Sequence, residues 1–250
     1  MNAAYLYAIA RAEAAAALGG LAGVGGAPVR ALRNGELICA VSDVDLDEFG
    51  EDALRRNLED LGWLERIARE HDAVVRALAA QAATVPLRMA TICRDDDSAL
   101  DRLHGMRGGA EAVLAVLDGR EEWGVKLYAS ERTPEPAAVS RPASGTDYLK
   151  QRQQELAART TAQGDAARDA EQVYERLGTF AARCCRHRPQ DARLSGVAAP
   201  MVLNAAFLVD RDRVAAFRAE ADSLAADRPP DALVVTGPWP AYSFVELEDT

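Results

Sequence analysis

Few residues in this chain stand where covalent chemistry would need them. The tightest cluster is Cys184-Cys185-Arg186-His187, two thiols and an imidazole that a metal or a redox cycle could use. The surrounding sequence reads as helix, and adjacent helical residues point about 100° apart, so one small site could not take both cysteines. Asp95-Asp96-Asp97-Ser98 has the composition of a cation loop. It lacks the spaced ligands and terminal glutamate of a calcium loop, and an acidic N-cap with its first helical turn explains it fully. The run Leu18-Gly19-Gly20-Leu21-Ala22-Gly23-Val24-Gly25-Gly26 contains GxG spacings. A phosphate cradle needs such glycines between a strand and a long helix; here Pro28 and a strand follow, which predicts a floppy connection. The chain has only three histidines, His71, His104 and His187, and no GxSxG, HExxH, P-loop or CxxC motif. His71 falls on the apolar stripe of a long helical pattern, with no ligand partner three or four residues away. It reads as a packed, hydrogen-bonded histidine. Glu121-Glu122 and the pair Glu246 and Glu248 read as solvated charge. The expectation is a protein that is not an enzyme and holds no metal and no cofactor.

Recognition chemistry is better represented. Thr236-Gly237-Pro238-Trp239-Pro240-Ala241-Tyr242-Ser243-Phe244 alternates turn residues with three aromatics, directly after the strand-like Ala232-Leu233-Val234-Val235. Pro238 and Pro240 cannot both sit in a central strand, because each removes a ladder donor. The segment must leave its sheet or follow an edge, and it holds Trp239, Tyr242 and Phe244 in a stiffened shape. Rigid aromatics suit a docking surface, since they give much contact area for little lost entropy. They suit equally well a lid over the domain's own core.

Composition narrows the partners. The 250 residues carry 29 basic and 39 acidic side chains, a formal net charge of −10, with 49% hydrophobic residues. That balance argues against nucleic acid, which wants a basic face, and against anionic membrane. No apolar stretch approaches the roughly 20 residues that span a bilayer, and Met1-Asn2-Ala3-Ala4-Tyr5 is no basic signal-peptide start. Four cysteines, Cys39, Cys93, Cys184 and Cys185, make no secreted disulfide framework. The reading is a cytoplasmic, reduced protein without membrane insertion.

The elements that position these residues follow from periodicity. Tyr5–Ala10 and Glu36–Ser42 read as strands, the latter entered through the hairpin step Asn34-Gly35. Glu51 to Ala82 reads as one helix with a stripe of Leu54, Leu58, Leu61, Leu64, Ala68, His71, Val75 and Leu78. Thr84–Cys93 reads as a strand with Pro86 confined to an edge or bulge. A helix through Leu100 and Leu103, a second from Gly109 to Leu117, and a strand Glu122–Ala129 follow. Pro134, Pro136 and Pro142 mark a linker. Beyond it, a long helix runs from Asp147 to Arg186, with a possible division at Gly164-Asp165. Strands Arg193–Ala198 and Met201–Val209, a helix Arg211–Ala226 capped by Asp210, and the strand Ala232–Val235 complete the chain. The expected domains are 1–130, a Pro-rich linker 131–143, and 144–250. The fold class is α+β in two domains: an N-terminal ferredoxin-like or barrel-like one, and a C-terminal one with long helices.

Six marks in register extend the reading: Tyr5-Leu6-Tyr7; Trp63-Leu64-Glu65 with His71; Val85-Pro86-Leu87-Arg88 with Thr91; Glu122-Trp123-Gly124-Val125-Lys126; Gly145-Thr146-Asp147-Tyr148-Leu149; and the closing Gly237-Pro238-Trp239-Pro240-Ala241-Tyr242-Ser243-Phe244. Together they resemble the gas vesicle accessory family GvpF/GvpL over some 240 residues. Where that family commonly has Arg-Phe-Gly-Thr, this chain reads Arg88-Met89-Ala90-Thr91. The resemblance implies a non-enzymatic role in gas vesicle assembly, in association with the vesicle, that prevents aggregation or nucleates the shell, with the hydrophobic shell subunit and other accessory proteins as partners and no small-molecule ligand. Such a shell subunit aggregates unless its apolar surface and strand edges are shielded. Trp239, Tyr242 and Phe244, with Pro238 and Pro240, are the expected partner-binding residues. Trp63, His71, Pro86, Arg88, Trp123, Lys126, Tyr148 and Gly237 are the motif residues expected to be structural. Two other classes stay open: a ferredoxin-like, dimeric-barrel haem binder, small-molecule binder or enzyme, with His71 or His104 as axial ligand, and a small-molecule sensor.

Overall fold

The computed structural model describes residues 2–129, 145–191 and 199–247; the Pro-rich linker and the strand expected at 193–198 lie outside them. Contacts divide the chain into two compact units, Met1–Glu122 with Pro238–Thr250, and Trp123–Gly237. The final residues thus group with the first unit, not with the second as their place in sequence suggests.

The first unit is built on β1 (Asn2–Arg11), β2 (Arg30–Asn34), β3 (Leu37–Asp45) and β4 (Thr84–Cys93), in the order β2-β3-β1-β4. β1 is buried from Ala3 to Ala10, and its run of Ala, Tyr, Leu and Ile suits a strand covered on both faces. Asn34 pairs with Leu37 across the two-residue turn Gly35-Glu36, one residue later than the Asn34-Gly35 step suggests, and Gly35 alone takes a positive φ, 61°. β4 is an edge strand, as Pro86 requires. Between the pairs Leu6–Thr91 and Ala8–Pro86 its register slips, so residues 87–90 bulge out of the ladder.

The helix expected over 51–82 is broken. α1 (Leu46–Phe49) and α2 (Glu51–Asn57) are short, and α3 (Leu61–Ala79) starts afresh because the Asp60 carboxylate accepts the N–H groups of Gly62 and Trp63. Leu58 and Leu61, 42% and 81% exposed, therefore leave the core stripe, which consists of Trp63, Ile67, His71, Val74, Val75 and Leu78. α4 (Asp96–Leu117) is one helix where two were expected, opened by Asp95 and Ser98 in a reciprocal capping box. α3 packs on the Tyr5 and Tyr7 face of the sheet; α4 packs on β1, β2 and β4 without joining that cluster, and so covers the other face.

The second unit contains β5 (Arg120–Tyr128, entering it at Trp123), α5 (Gly145–Gly178), β6 (Ala181–Arg186), β7 (Met201–Asp210), α6 (Val214–Ala226) and β8 (Leu233–Trp239, leaving it at Gly237). Its sheet runs β6-β7-β5-β8. The strand–helix–strand–strand–helix–strand succession in this order is the ferredoxin-like arrangement. α5 ends at Gly178 rather than at Arg186, so Cys184 and Cys185 lie on a strand and point to opposite faces. α6 is entered through a 3₁₀ turn, Arg211–Arg213, and the Asp210 side chain makes no capping bond to it. The core gathers Trp123, Val125, Leu127, Leu203, Phe207 and Phe217 against Val173 and Leu177 of α5.

Candidate functional site

The aromatic tail returns to the first unit and is fastened residue by residue. Gly237, at φ 137°, takes a backbone conformation that an L side chain rarely adopts. Trp239 follows, 39% exposed, with the Arg76 guanidinium 4.4 Å from its ring centroid. Arg76 is itself paired along α3 with Asp72. A 3₁₀ turn closes through Tyr242 N–H to the Pro240 carbonyl at 2.8 Å and Phe244 N–H to the Ala241 carbonyl at 3.3 Å. Ser243 then donates both its N–H, at 2.9 Å, and its hydroxyl, at 2.7 Å, to the two oxygens of Glu122. Glu122 is not solvated charge as expected from sequence: it is 7% exposed, and burial raises its carboxyl pKa while the Ser243 bonds draw it down.

Phe244 and Pro240 are buried, whereas Tyr242 is 42% exposed. Burial and then the neighbouring Asp72 raise the Tyr242 phenol pKa, and Arg76 opposes them; with so much of the residue exposed, the covered part is local. The segment thus acts as a lid at one end only. Its far end plugs the unit, and its near end holds two aromatics half in water beside a charged pair on α3.

Beneath α3 lies a buried polar relay. The Tyr5 hydroxyl accepts the Ala90 N–H at 2.9 Å and is hydrogen-bonded to His71 Nδ1 at 3.2 Å. The Tyr7 hydroxyl accepts the Val24 N–H and is hydrogen-bonded to Ser42 Oγ, each at 2.7 Å. His71 is therefore the packed, hydrogen-bonded histidine its stripe position predicts. Burial pulls its pKa down to about 4, against a weaker opposing pull from the Leu87 backbone, to which Nε2 makes no bond of full hydrogen-bond geometry. The Gly-rich stretch is not floppy. Gly23 N–H binds the Ala27 carbonyl at 2.7 Å, and Leu18 and Val24 are buried in the core.

The remaining motif residues fall as follows. Trp63 stacks by Phe49 at 5.5 Å and donates its indole N–H to Glu48 at 2.7 Å. Pro86 is buried on β4, and Arg88 is exposed at the bulge, its carbonyl accepting the Thr91 hydroxyl at 2.6 Å. Trp123 packs on Phe217 at 6.3 Å, and Lys126 donates to Gln190 at 3.2 Å. Tyr148 lies in α5, where its side chain is outside the described residues. Sequence reasoning missed Glu122, Ser243 and Gly23. A strand alternation assigning Glu122 to the face opposite Trp123 was the one available signal.

Among the described residues no three His, Cys, Asp or Glu side chains gather as a metal site would need, and no helix is long and apolar enough to cross a membrane. An open cleft of about 600 Å³ between the segment after β1 and the end of α3 is lined by Ala14, Ala16, Ala17, Ala77 and Ala80 with Glu13 and Gln81.

Comparison with known proteins places this architecture. The profile described as gas vesicle synthesis protein GvpL/GvpF matches residues 3–246. Gas vesicle protein L of Streptomyces sp. (strain CB03234) is 44% identical over 254 residues, covering 98% of this chain and 93% of that protein. Gas vesicle protein F of the same strain is 30% identical over 256 residues, covering 97% and 99%. The crystal structure of GvpF from Anabaena sp. PCC7120 superposes with a TM-score of 0.70 at 17% identity, over 99% of this chain and 98% of that one. GvpF from Microcystis aeruginosa gives 0.67 at 16%, over 98% and 99%. The solved structures share the fold; the profile and the two Streptomyces relatives, matched nearly end to end, carry the assignment, and the chain belongs to the gas vesicle synthesis protein GvpL/GvpF family.

Proposed function

We propose that this chain is a non-enzymatic accessory protein that binds the gas vesicle shell subunit, other accessory proteins, or both, in the cytoplasm beside the growing vesicle. As a family member it takes part in gas vesicle formation. The observation that carries the finer reading is the split tail. Phe244, Pro240 and the Glu122–Ser243 pair anchor the segment, so Trp239 and Tyr242 are held half-exposed at little entropic cost. Aromatics fixed in this way are the residue types that dominate interface energetics. A hydrophobic subunit gains most from such a surface before it is incorporated, when its apolar area faces water.

A haem site has little support in the interior. His71 is committed to Tyr5, His104 is exposed on α4, and neither histidine lines the alanine cleft. The test is co-expression with the shell subunit, comparing the native chain with Trp239→Ala/Tyr242→Ala, whose melting should stay within about 1 kcal/mol of native because both residues are half-exposed. Loss of soluble co-purification is expected. Unchanged co-purification by a folded double variant would sink the reading.

A further inference from the structure

The two sheets end in four edge strands, β2 and β4 in the first, β6 and β8 in the second. Exposed edges invite pairing with another chain, and proteins ordinarily blunt them. Three are blunted here. β4 carries Pro86 and the bulge at 87–90, β8 carries Pro238, and β2 is five residues long, with Arg30 tied to Asp96 of α4. β6 has no proline, its register slip is confined to its start between Ala181 and Arg183, and among the described residues nothing pairs with its outer side from Arg183 to Arg186.

Its ladder identifies which groups face outward. His187 N–H binds the Asn204 carbonyl at 2.7 Å, and the β6–β7 register pairs Cys185 with Ala206 and Arg183 with Leu208. In an antiparallel pair hydrogen-bonded positions alternate, so 183, 185 and 187 spend their backbone groups on β7. The N–H and C=O of Cys184 and Arg186 therefore point away from the sheet. Apart from a long contact from Cys185 Sγ to the Arg186 carbonyl, at 3.8 Å, they have no partner among the described residues. The strip is flanked by Arg183, Arg186 and Arg188, all exposed, in a chain of net charge −10. Arg186 is held by Glu171 and lies over Tyr174, whereas Arg183 and Arg188 have no ion pair among the described residues.

From this we infer that the outer edge of β6 accepts an extended, acidic segment of a partner protein as a fifth strand of the second sheet. The outward backbone groups of Cys184 and Arg186 supply the ladder bonds, and Arg183 and Arg188 select acidic side chains. The charges also argue against a second copy of this chain, since β6-to-β6 pairing would bring two arginine-rich strips side by side, and like charges on neighbouring strands repel. The inference stands independently of the aromatic tail.

The probe is a fluorescein-labelled peptide of alternating glutamate with valine and threonine, read by anisotropy against its lysine counterpart, together with amide exchange of the full chain. The acidic peptide should bind saturably and slow exchange at Cys184 and Arg186. Arg183→Glu/Arg188→Glu, with unchanged melting, should weaken binding about tenfold, as should the lysine peptide. Equal affinity for both peptides, or binding without protection of those two amides, would overturn the proposal. So would slow exchange at both amides in the free protein at every concentration, which would mean that the chain covers its own edge. Protection growing with protein concentration would assign the edge to a second copy and overturn it equally.

Discussion

The two sheets share one strand order, β2-β3-β1-β4 and β6-β7-β5-β8, yet differ in how the first strand of each reaches the second. In the second unit the connection includes α5, and a helix satisfies its own backbone. In the first unit it is a 3₁₀ segment, Ala12–Leu18, followed by the Gly-rich loop. A loop packed against a core must find partners for its N–H and C=O groups elsewhere. The interiors differ accordingly. Every buried polar or charged residue among those described, Ser42, His71, Thr84 and Glu122, belongs to the first unit. There Tyr7 caps the loop at Val24 and Tyr5 caps the β4 bulge at Ala90, whereas the second interior is a run of Trp123, Phe217 and Phe207. Where irregular backbone replaces a helix, side-chain hydroxyls in the core take over its hydrogen bonding.

The largest effect that would sharpen this contrast lies in the second unit. Phe207→Ala removes a fully buried ring that touches both Phe217 and Tyr174, and should cost about 3–5 kcal/mol. Amide exchange should show the loss in 123–237; equal loosening of the first unit would break the contrast. Next comes pH, which should act on the first unit through His71. Burial holds its folded pKa near 4, against about 6.5 unfolded. Between those values the unfolded chain binds a proton that the native one refuses. Stability therefore rises with pH from about 4 to about 6.5 and is flat above, by roughly 3 kcal/mol in all. Glu122, with its raised carboxyl pKa, has the opposite slope, since its contribution is lost as pH rises through its folded value. Denaturant melts of native and His71→Phe proteins should therefore differ in slope over that window. Parallel slopes would remove His71 from the account.

Much of this was legible in the residues. Pro86 marked an edge, Asn34-Gly35 marked a hairpin, Asp95 marked a cap, and each rule concerns a single turn of backbone. Misreadings came where tertiary partners outvote local pattern. Leu58 and Leu61 continue a helical period, yet the Asp60 cap restarts the helix and turns both outward. Cys184 and Cys185 continue a helical run, but Gly178 ends it and pairing with β7 draws them into the sheet. For the candidate site, the rigid aromatics were readable from Pro238 and Pro240. Which of them would be covered was not, because that depends on Glu122, 121 residues away from Ser243 in sequence. The Gly-rich stretch looked free since nothing in it announces that Tyr7 will hold it.

That last point yields the third test. A Cβ on Gly23 would lie 2.2 Å from the Tyr7 hydroxyl oxygen and 3.0 Å from Ser42 Oγ. Gly23→Ala must push Tyr7 off Val24 and should cost about 2 kcal/mol. Tyr7→Phe opens the space, so the double variant should lose less than the sum of the two single ones. Strict additivity in denaturant melts would mean that loop and hydroxyl are not coupled.

The smallest expected effect concerns Ala90, a residue with a side chain that takes φ 60° in the β4 bulge. A left-handed conformation costs an L residue about 1–2 kcal/mol, while glycine gives back roughly 0.5–1 in unfolded-state entropy. Ala90→Gly should therefore stabilise the first unit by about 0.5–1 kcal/mol. The same substitution distinguishes two origins of the bulge. If the Tyr5 hydroxyl imposes it by claiming the Ala90 N–H, Tyr5→Phe should erase the benefit of glycine, since the bulge is then released and φ relaxes. If Thr91, whose hydroxyl binds the Arg88 carbonyl, shapes the turn by itself, the benefit should persist in the Phe background. Persistence would separate the bulge from the tyrosine relay, leaving the loop at Val24 as the one irregular segment that the first core is built to hold.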